Sequence, residues 1–315
     1  MRGAALALCI LLSACDRTPK EPDRAVAPVT APPAVVQLPA RLTRAAPARI
    51  VAIGDLHGDL EAVQKAFRLA SAVDASDAWI GGALIVVQTG DVVDRGDDDK
   101  KILDWLDRVQ AEAKIAGGEV ILLLGNHELM NVAGDFRYVT RGGFTAFGGP
   151  TADAHVAALP ETQRGRAAAF QPGGPYAMKL AARHLLFVRV GRSLFIHGGI
   201  LPKYAARAAD TDQDVHDWLT GKTQKAPEAA MGEDGLVWTR AYSDSPKDAD
   251  CRHLDEVLVR LDADRLVMGH TVQQGGISKA CGDKAWRIDT GMSRFYHGPI
   301  SVLELKGAQV KPLTL

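Results

Sequence analysis

The chain has 315 residues, enough for one large domain or two small ones, and balances 37 basic against 38 acidic side chains. That near-neutral charge leaves no global field to hold a polyanion, so nucleic-acid binding has no electrostatic support and any anion selectivity must be local. With 47% apolar residues, the chain is not disordered throughout and is expected to form a globular body.

The first element in chain order is a leader. Met1-Arg2 precedes GAALALCILLSAC, an apolar segment too brief to cross a bilayer and ending in small residues, as an export signal does. Its last four residues, Leu12-Ser13-Ala14-Cys15, resemble the lipobox of bacterial lipoproteins, which implies cleavage before Cys15 and a lipid on its thiol. An ordinary cleaved signal that happens to contain Cys is the alternative. By similarity to the sorting of such lipoproteins, Asp16 implies retention at the inner membrane. The expectation is therefore an exported protein, anchored to the membrane by its N-terminal lipid and facing the periplasm. Residues 16–47 are rich in Pro and Ala and lack both a 3.6-residue and a 2-residue apolar period, so they read as an extended tether. The folded part is expected over 48–315.

Within it, β-branched apolar runs at 49–53, 83–89, 119–124, 185–190, 194–197, 265–269 and 300–305 read as mostly buried strands. Between the first three lie LEAVQKAFRLASAV and KKILDWLDRVQAEAKIA, whose apolar residues recur at i, i+3 and i+4 as on a helix face. A βαβαβ order implies a parallel start to a sheet. FVRVGRSLFIHGG reads as a hairpin turning at Gly191-Arg192, with later strands extending a second sheet. Residues 134–175 interrupt this rhythm with RGGFTAFGGP and FQPGGP around an Ala-rich middle, and read as an insertion, either a lid or a surface excursion. Cys251 and Cys281 remain after the leader cysteines are set aside. In an oxidising compartment they can pair or stay separate, since pairing requires close approach.

In an α/β sheet the loops after the carboxyl ends of parallel strands meet in one crevice. Here those loops are GDLHGD, TGDVVDRGDDD, LGNHELMN and HGG, and the later strand RLVMGHT ends in His270. One such turn is explained by ordinary turn and capping chemistry. Five strand ends bringing Asp55, His57, Asp91, Asn126, His127, His197 and His270 together are not. Carboxylates and imidazoles without thiolates suit a pair of divalent metals, with Mn favoured and Fe, Zn or Mg as alternatives. Two metals roughly 3.5–4 Å apart can share a hydroxide nucleophile and clamp a phosphoryl group for in-line attack. Arg95 adds a planar cation suited to a phosphate. Asp97, Asp98 and Asp99 read as the charged start of the next helix or as support for the metals.

GDLHG, GDVVDRG, GNHE and HGG, in this order, resemble the signature of the phosphoprotein-phosphatase branch of the calcineurin-like metallophosphoesterases. The extended forms GDVVDRGDDD, LLGNHELMN and MGHT resemble the Shewanella-like protein phosphatases within it. Val272, where many other metallophosphoesterases place another His, fits the phosphatase branch. The resemblance covers about 50–291 and implies an α/β, metallophosphoesterase-type β-sandwich flanked by helices, with a dinuclear metal site at the strand-end loops. It further implies that Asp55 and His57 hold the first metal, that Asp91 bridges, and that Asn126, His197 and His270 hold the second. His127 would protonate the leaving oxygen, Asp94 would orient His127, and Arg95 would bind the phosphate. Arg240, in GLVWTRAY, is the candidate for the family's second phosphate-binding Arg.

The expected activity is a metal-dependent phosphomonoesterase acting on a phosphorylated protein or a small phosphoester. Two rivals stand beside it. A dinucleoside polyphosphate hydrolase would share the branch, and a catalytically silent, lipid-anchored binding protein would share the fold.

Overall fold

A computed structural model describes residues 34–148 and 154–315 together with Met1. The leader, the lipidation candidate Cys15 and residues 16–33 of the expected tether lie outside the described residues. Among the described residues, twelve strands form two six-stranded sheets. In chain order they are β1 (Thr43–Arg44), β2 (Ile50–Ile53), β3 (Ile85–Gln88), β4 (Glu119–Leu123), β5 (His184–Leu185), β6 (Phe187–Val190), β7 (Ser193–Ile196), β8 (Arg265–Met268), β9 (Ser278–Ala280), β10 (Ala285–Arg287), β11 (Ser301–Lys306) and β12 (Gln309–Thr314).

The first sheet runs β12-β11-β2-β3-β4-β5 and the second β1-β6-β7-β8-β10-β9. β2, β3, β4 and β5 are parallel in register, as the βαβαβ order requires. All four residues of β2 are buried because one face meets helices and the other meets the second sheet. Alternate residues of the two sheets, among them Ala52, Val87, Leu123, Phe195, Val267 and Leu303, form the layer between them. The opposite faces pack against the helices Leu60–Leu69 and Asp99–Ile115, which bury Val63, Phe67, Ile102 and Leu106. β6 and β7 form the expected hairpin, with Val190 opposite Ser193 and Gly191 at φ +57°.

One boundary differs from expectation. Ordered structure begins before residue 48: Val36 donates its N–H to Arg260 O at 2.7 Å, Leu42 is buried, and β1 pairs in parallel with β6. The C-terminal end of the Pro/Ala-rich stretch is thus an edge strand of the second sheet. The insertion 134–175 carries helices Arg141–Thr145, Glu161–Phe170 and the start of Pro175–Arg183, and it buries Phe147, Arg166 and Phe170. It is a packed element. Cys251, on helix Asp248–Arg260, is joined to Cys281, just after β9, by a disulfide with Cα atoms 5.1 Å apart.

Candidate active site

The carboxyl ends of β2, β3, β4, β7 and β8 open on one side of the sandwich, and each delivers polar residues there within a few positions of its last residue. Asp55 and His57 follow β2, Asp91 follows β3, Asn126 and His127 follow β4, His197 follows β7 and His270 follows β8. All seven are buried. His57, Asp91, Asp94, Arg95 and His270 have φ between +47° and +71°, a left-handed backbone that costs residues carrying a Cβ. Such strain collects at functional sites, where the surrounding structure holds it in place.

The holding groups are visible. Glu128, the last residue of GNHE, accepts the N–H groups of Gly125 (2.8 Å), Asp91 (2.9 Å) and Val92 (2.8 Å), fastening the β3 loop to the β4 loop. A Cβ at Gly125 would run into the Asp91 carboxylate, and one at Gly269 into that of Asp55. These two glycines let the backbones approach the acids closely.

Each imidazole has one nitrogen committed to an acceptor, which leaves the other bare. His57 Nδ1 donates to Val93 O (3.3 Å), His197 Nδ1 to Thr89 O (2.9 Å) and His270 Nε2 to Trp238 O (3.0 Å). Burial pushes His57 down to about 3, and burial together with the neighbouring His197 and Arg240 holds His270 well below its ordinary value, which favours the neutral imidazole, the form that can bind a metal.

The bare nitrogens converge. His197 Nε2 lies 2.9 Å from Asn126 Oδ1, 3.1 Å from His270 Nδ1 and 3.4 Å from Asp91 Oδ2. Asp91 Oδ2 is in turn 3.8 Å from His57 Nε2, and Asp55 Oδ2 is 3.9 Å from the same nitrogen. Lone pairs that face one another in a buried site are repulsive unless a cation lies among them. Asp91, touching both groups, is the natural bridge. The donor set therefore fits two divalent ions, with oxygen and neutral nitrogen ligands and no thiolate. His127 Nε2 also opens onto Asp91 Oδ2, at 3.8 Å. Its Nδ1 is occupied by Asp94 Oδ2 at 2.7 Å.

The carboxylates are crowded. Burial, with Asp289 and Asp91 nearby, raises Asp55 well above the carboxylate range. Asp91 is held well below it, because His197, His127 and His57 outweigh the desolvation that opposes them. Burial pushes Asp289 to about 6. Asp289, which no sequence reasoning singled out, follows the short β10 in IDTG and thus obeys the same rule of polar residues after a strand end.

Arg95 stands at the mouth of a 360 Å³ cavity shared with His57, Asp59, Thr140, Arg294 and Phe295. Its guanidinium carbon lies 4.4 Å from the ring centre of Tyr138, 4.9 Å from that of Phe295 and 5.2 Å from that of Tyr296. Its Nε is buried without a protein acceptor. Arg240 donates from Nη1 to His270 O and Thr271 Oγ1, both at 2.7 Å. Asp99 accepts the Asp94 N–H at 3.0 Å and is buried, which makes it internal support; Asp98 pairs with Lys101 near the surface. Cavities of 430 and 560 Å³ elsewhere are lined by residues such as Gln110, Glu119 and Arg183 and contain none of these groups.

Comparison with known proteins identifies the family. The family model for calcineurin-like phosphoesterases matches residues 48–274. A Shewanella-like protein phosphatase of Arabidopsis thaliana is 38% identical over 79% of this chain and 72% of its own. One from Plasmodium berghei is 32% identical over 78% of this chain and 68% of its own. Among solved structures, the cold-active protein-tyrosine phosphatase of a psychrophilic Shewanella superposes with a TM-score of 0.68 at 22% identity, over 90% of this chain and 83% of that one. A serine/threonine phosphatase from Saccharomyces cerevisiae gives 0.52 at 14% identity, over 90% and 84%.

Proposed function

The chain belongs to the calcineurin-like phosphoesterase family and is a metal-dependent hydrolase of phosphoesters, and from that premise we propose that its substrates are phosphoproteins. The observation that carries the reading is the convergence on His197 Nε2 of Asn126 Oδ1, His270 Nδ1 and Asp91 Oδ2, at 2.9, 3.1 and 3.4 Å. Asp55, His57 and Asp91 would hold one cation, and Asp91, Asn126, His197 and His270 the other, with Mn the proposed occupant; the ligand atoms of His57, Asp91 and His127, and those of Asp91, His197 and His270, lie within 4.8 Å of one another. Bound there, the cations supply Lewis acidity and a water-derived nucleophile at neutral pH.

The chain's own residues do the rest. Arg95 binds the phosphoryl oxygens in its planar fork, and Arg240, bonded to His270 O, is the candidate second phosphate-binding Arg. As an oxygen–phosphorus bond forms on one side and the ester bond breaks on the other, His127 Nε2 gives a proton to the departing oxygen. Asp94 holds the ring through Nδ1 and stabilises its cationic form. Burial would lower the basicity of His127, but Asp91 and Asp94 overcome it and raise the pKa, which favours a proton donor. Tyr138, Phe295 and Tyr296 around Arg95 offer an aryl ring a wall to lie on, which favours phosphotyrosine over phosphoserine. The leader and Cys15 support an exported, lipid-anchored enzyme that meets its substrates in the periplasm.

The test is turnover of phosphotyrosine peptide, phosphoserine peptide, p-nitrophenyl phosphate and a dinucleoside polyphosphate, with and without chelator. Metal-dependent hydrolysis led by the phosphotyrosine peptide is expected. Preference for the dinucleotide would overturn the phosphoprotein assignment, and bound metal without turnover on any ester would leave a binding protein.

A further inference from the structure

The insertion sends a charge into the interior beneath the catalytic His. Arg166, on helix Glu161–Phe170, is fully buried and makes four polar contacts. Nη2 donates to Asp94 Oδ1 at 2.8 Å, Nη1 to Asp99 Oδ2 at 2.6 Å and to Gly143 O at 2.9 Å, and Nε to Asn131 Oδ1 at 2.6 Å. The rings of Phe147 and Phe170 lie 5.0 and 5.2 Å from the guanidinium carbon. The group is held by its edge and packed against aromatic rings.

What it holds is the orientation of Asp94. Oδ1 of that carboxylate accepts from Arg166 and, at 3.0 Å, from Asn131 Nδ2, which leaves Oδ2 to His127 Nδ1. Asn131 also donates to His127 O at 2.9 Å and so ties the helix carrying His127 to the same network. We propose that Arg166 is a positioning residue for proton delivery: the docked insertion fixes the Asp94 carboxylate and, through it, the direction in which His127 Nε2 presents its proton. The insertion is then a working part of the site. This rests on the phosphatase reading above.

Without the guanidinium, Asp99 would lose its cationic partner and Asp94 would keep only the imidazole as one, so the Asp94 side chain could turn away from its present orientation. The loss should fall on proton delivery, which matters for a poor leaving group and little for a good one. General acid assistance is typically worth about 10²–10⁴-fold. Displacing its support should cost about 10- to 100-fold in kcat on a phosphoserine peptide, and several-fold less on p-nitrophenyl phosphate. Arg166→Gln and Arg166→Lys are to be compared, with melting temperature and bound metal measured on each. Lys keeps the charge and should recover part of the phosphoserine rate; if the Gln variant does not fold, the Lys variant carries the same comparison against wild type. A steeper dependence on leaving-group basicity with metal content retained is the expected result. Equal losses on both substrates, or a loss that follows metal content alone, would overturn the assignment of Arg166 while leaving the phosphatase reading intact. A wild-type protein without metal-dependent turnover would overturn that reading, and this inference with it.

Discussion

His197 Nε2 and His270 Nδ1 face each other across 3.1 Å, although each ring's other nitrogen already donates to a backbone carbonyl. Neither can donate to the other in its neutral form. The pair is therefore placed as a cation would require, and Asp91, 3.4 Å from His197 and 3.8 Å from His57, lies between it and the proposed second cation site.

Asp91→Asn removes the charge that two cations must share. Outer-shell substitutions at metal centres typically cost about 10–100-fold, so loss of a bridging carboxylate should cost more than about 100-fold in turnover, with bound metal falling together with it. Elemental analysis beside the rate decides it. Full metal occupancy with undiminished turnover would remove Asp91 from the bridge.

Arg95→Lys keeps a cation and loses the fork. Hydrogen bonds to charged groups contribute about 1.5–3 kcal/mol, so kcat/KM should fall by roughly 10- to 100-fold with metal content unchanged. Arg240→Lys separates two roles. Should Arg240 bind phosphate, it behaves like Arg95; should its bonds to His270 O and Thr271 Oγ1 be its whole task, metal binding weakens and affinity for phosphate does not. Inorganic phosphate inhibition constants for the two variants tell the cases apart.

The motif residues are legible in the sequence because each follows an apolar run long enough to read as a strand, and the fold then carries those strand ends to one side. The rest was hidden for particular reasons. Asp289 obeys the same rule, but β10 is only Ala285–Arg287 and carries no recognisable period. β12, QVKPLT, contains Pro and exposed Lys, as edge strands do, and so lacks an apolar signature. Arg166 sits in ETQRGRAAAF, where an Arg among alanines reads as a solvated face, and only the docking of that helix against Phe147 and Asn131 turns it inward. Tyr138 likewise reaches Arg95 through tertiary contact alone, its carbonyl accepting the Arg95 N–H at 3.0 Å.

Lipidation gives a prediction independent of catalysis. Wild-type protein produced with its leader should fractionate with membranes and be released by detergent, whereas Cys15→Ser should appear in the soluble periplasmic fraction. Wild-type protein found wholly soluble would end the lipoprotein proposal.

His184 yields a prediction about pH and stability. It is 6% exposed, its ring nitrogens have no well-aligned hydrogen bond among the described residues, and burial holds its pKa down to about 3 against a weak pull from the Leu180 backbone. In the unfolded chain the ring takes a proton below about 6.5, while the folded ring stays neutral until about 3, so stability is lost as pH falls through that window. One proton accounts for at most about 1.4 kcal/mol per pH unit. Thermal melts at pH 7.5 and pH 5 should show a smaller drop for His184→Leu than for wild type. Identical drops would mean that His184 is not among the groups that set acid sensitivity.

The role of His127 can be isolated by the leaving group. Its Nδ1 is held by Asp94 and its Nε2 opens toward Asp91, an arrangement compatible with a proton donor and with a metal ligand. The two roles differ in what they make the rate depend on. Serine leaves badly as an alkoxide, whereas p-nitrophenolate leaves unaided, so a donor matters only for the first. His127→Asn should slow hydrolysis of a phosphoserine peptide by about 10²–10⁴-fold and that of p-nitrophenyl phosphate far less, with both metals retained. Asp94→Asn should show the same bias more weakly, because the ring loses its orienting carboxylate and keeps its proton-bearing nitrogen. Equal losses on both substrates, accompanied by a fall in bound metal, would make His127 a ligand and withdraw it as the acid.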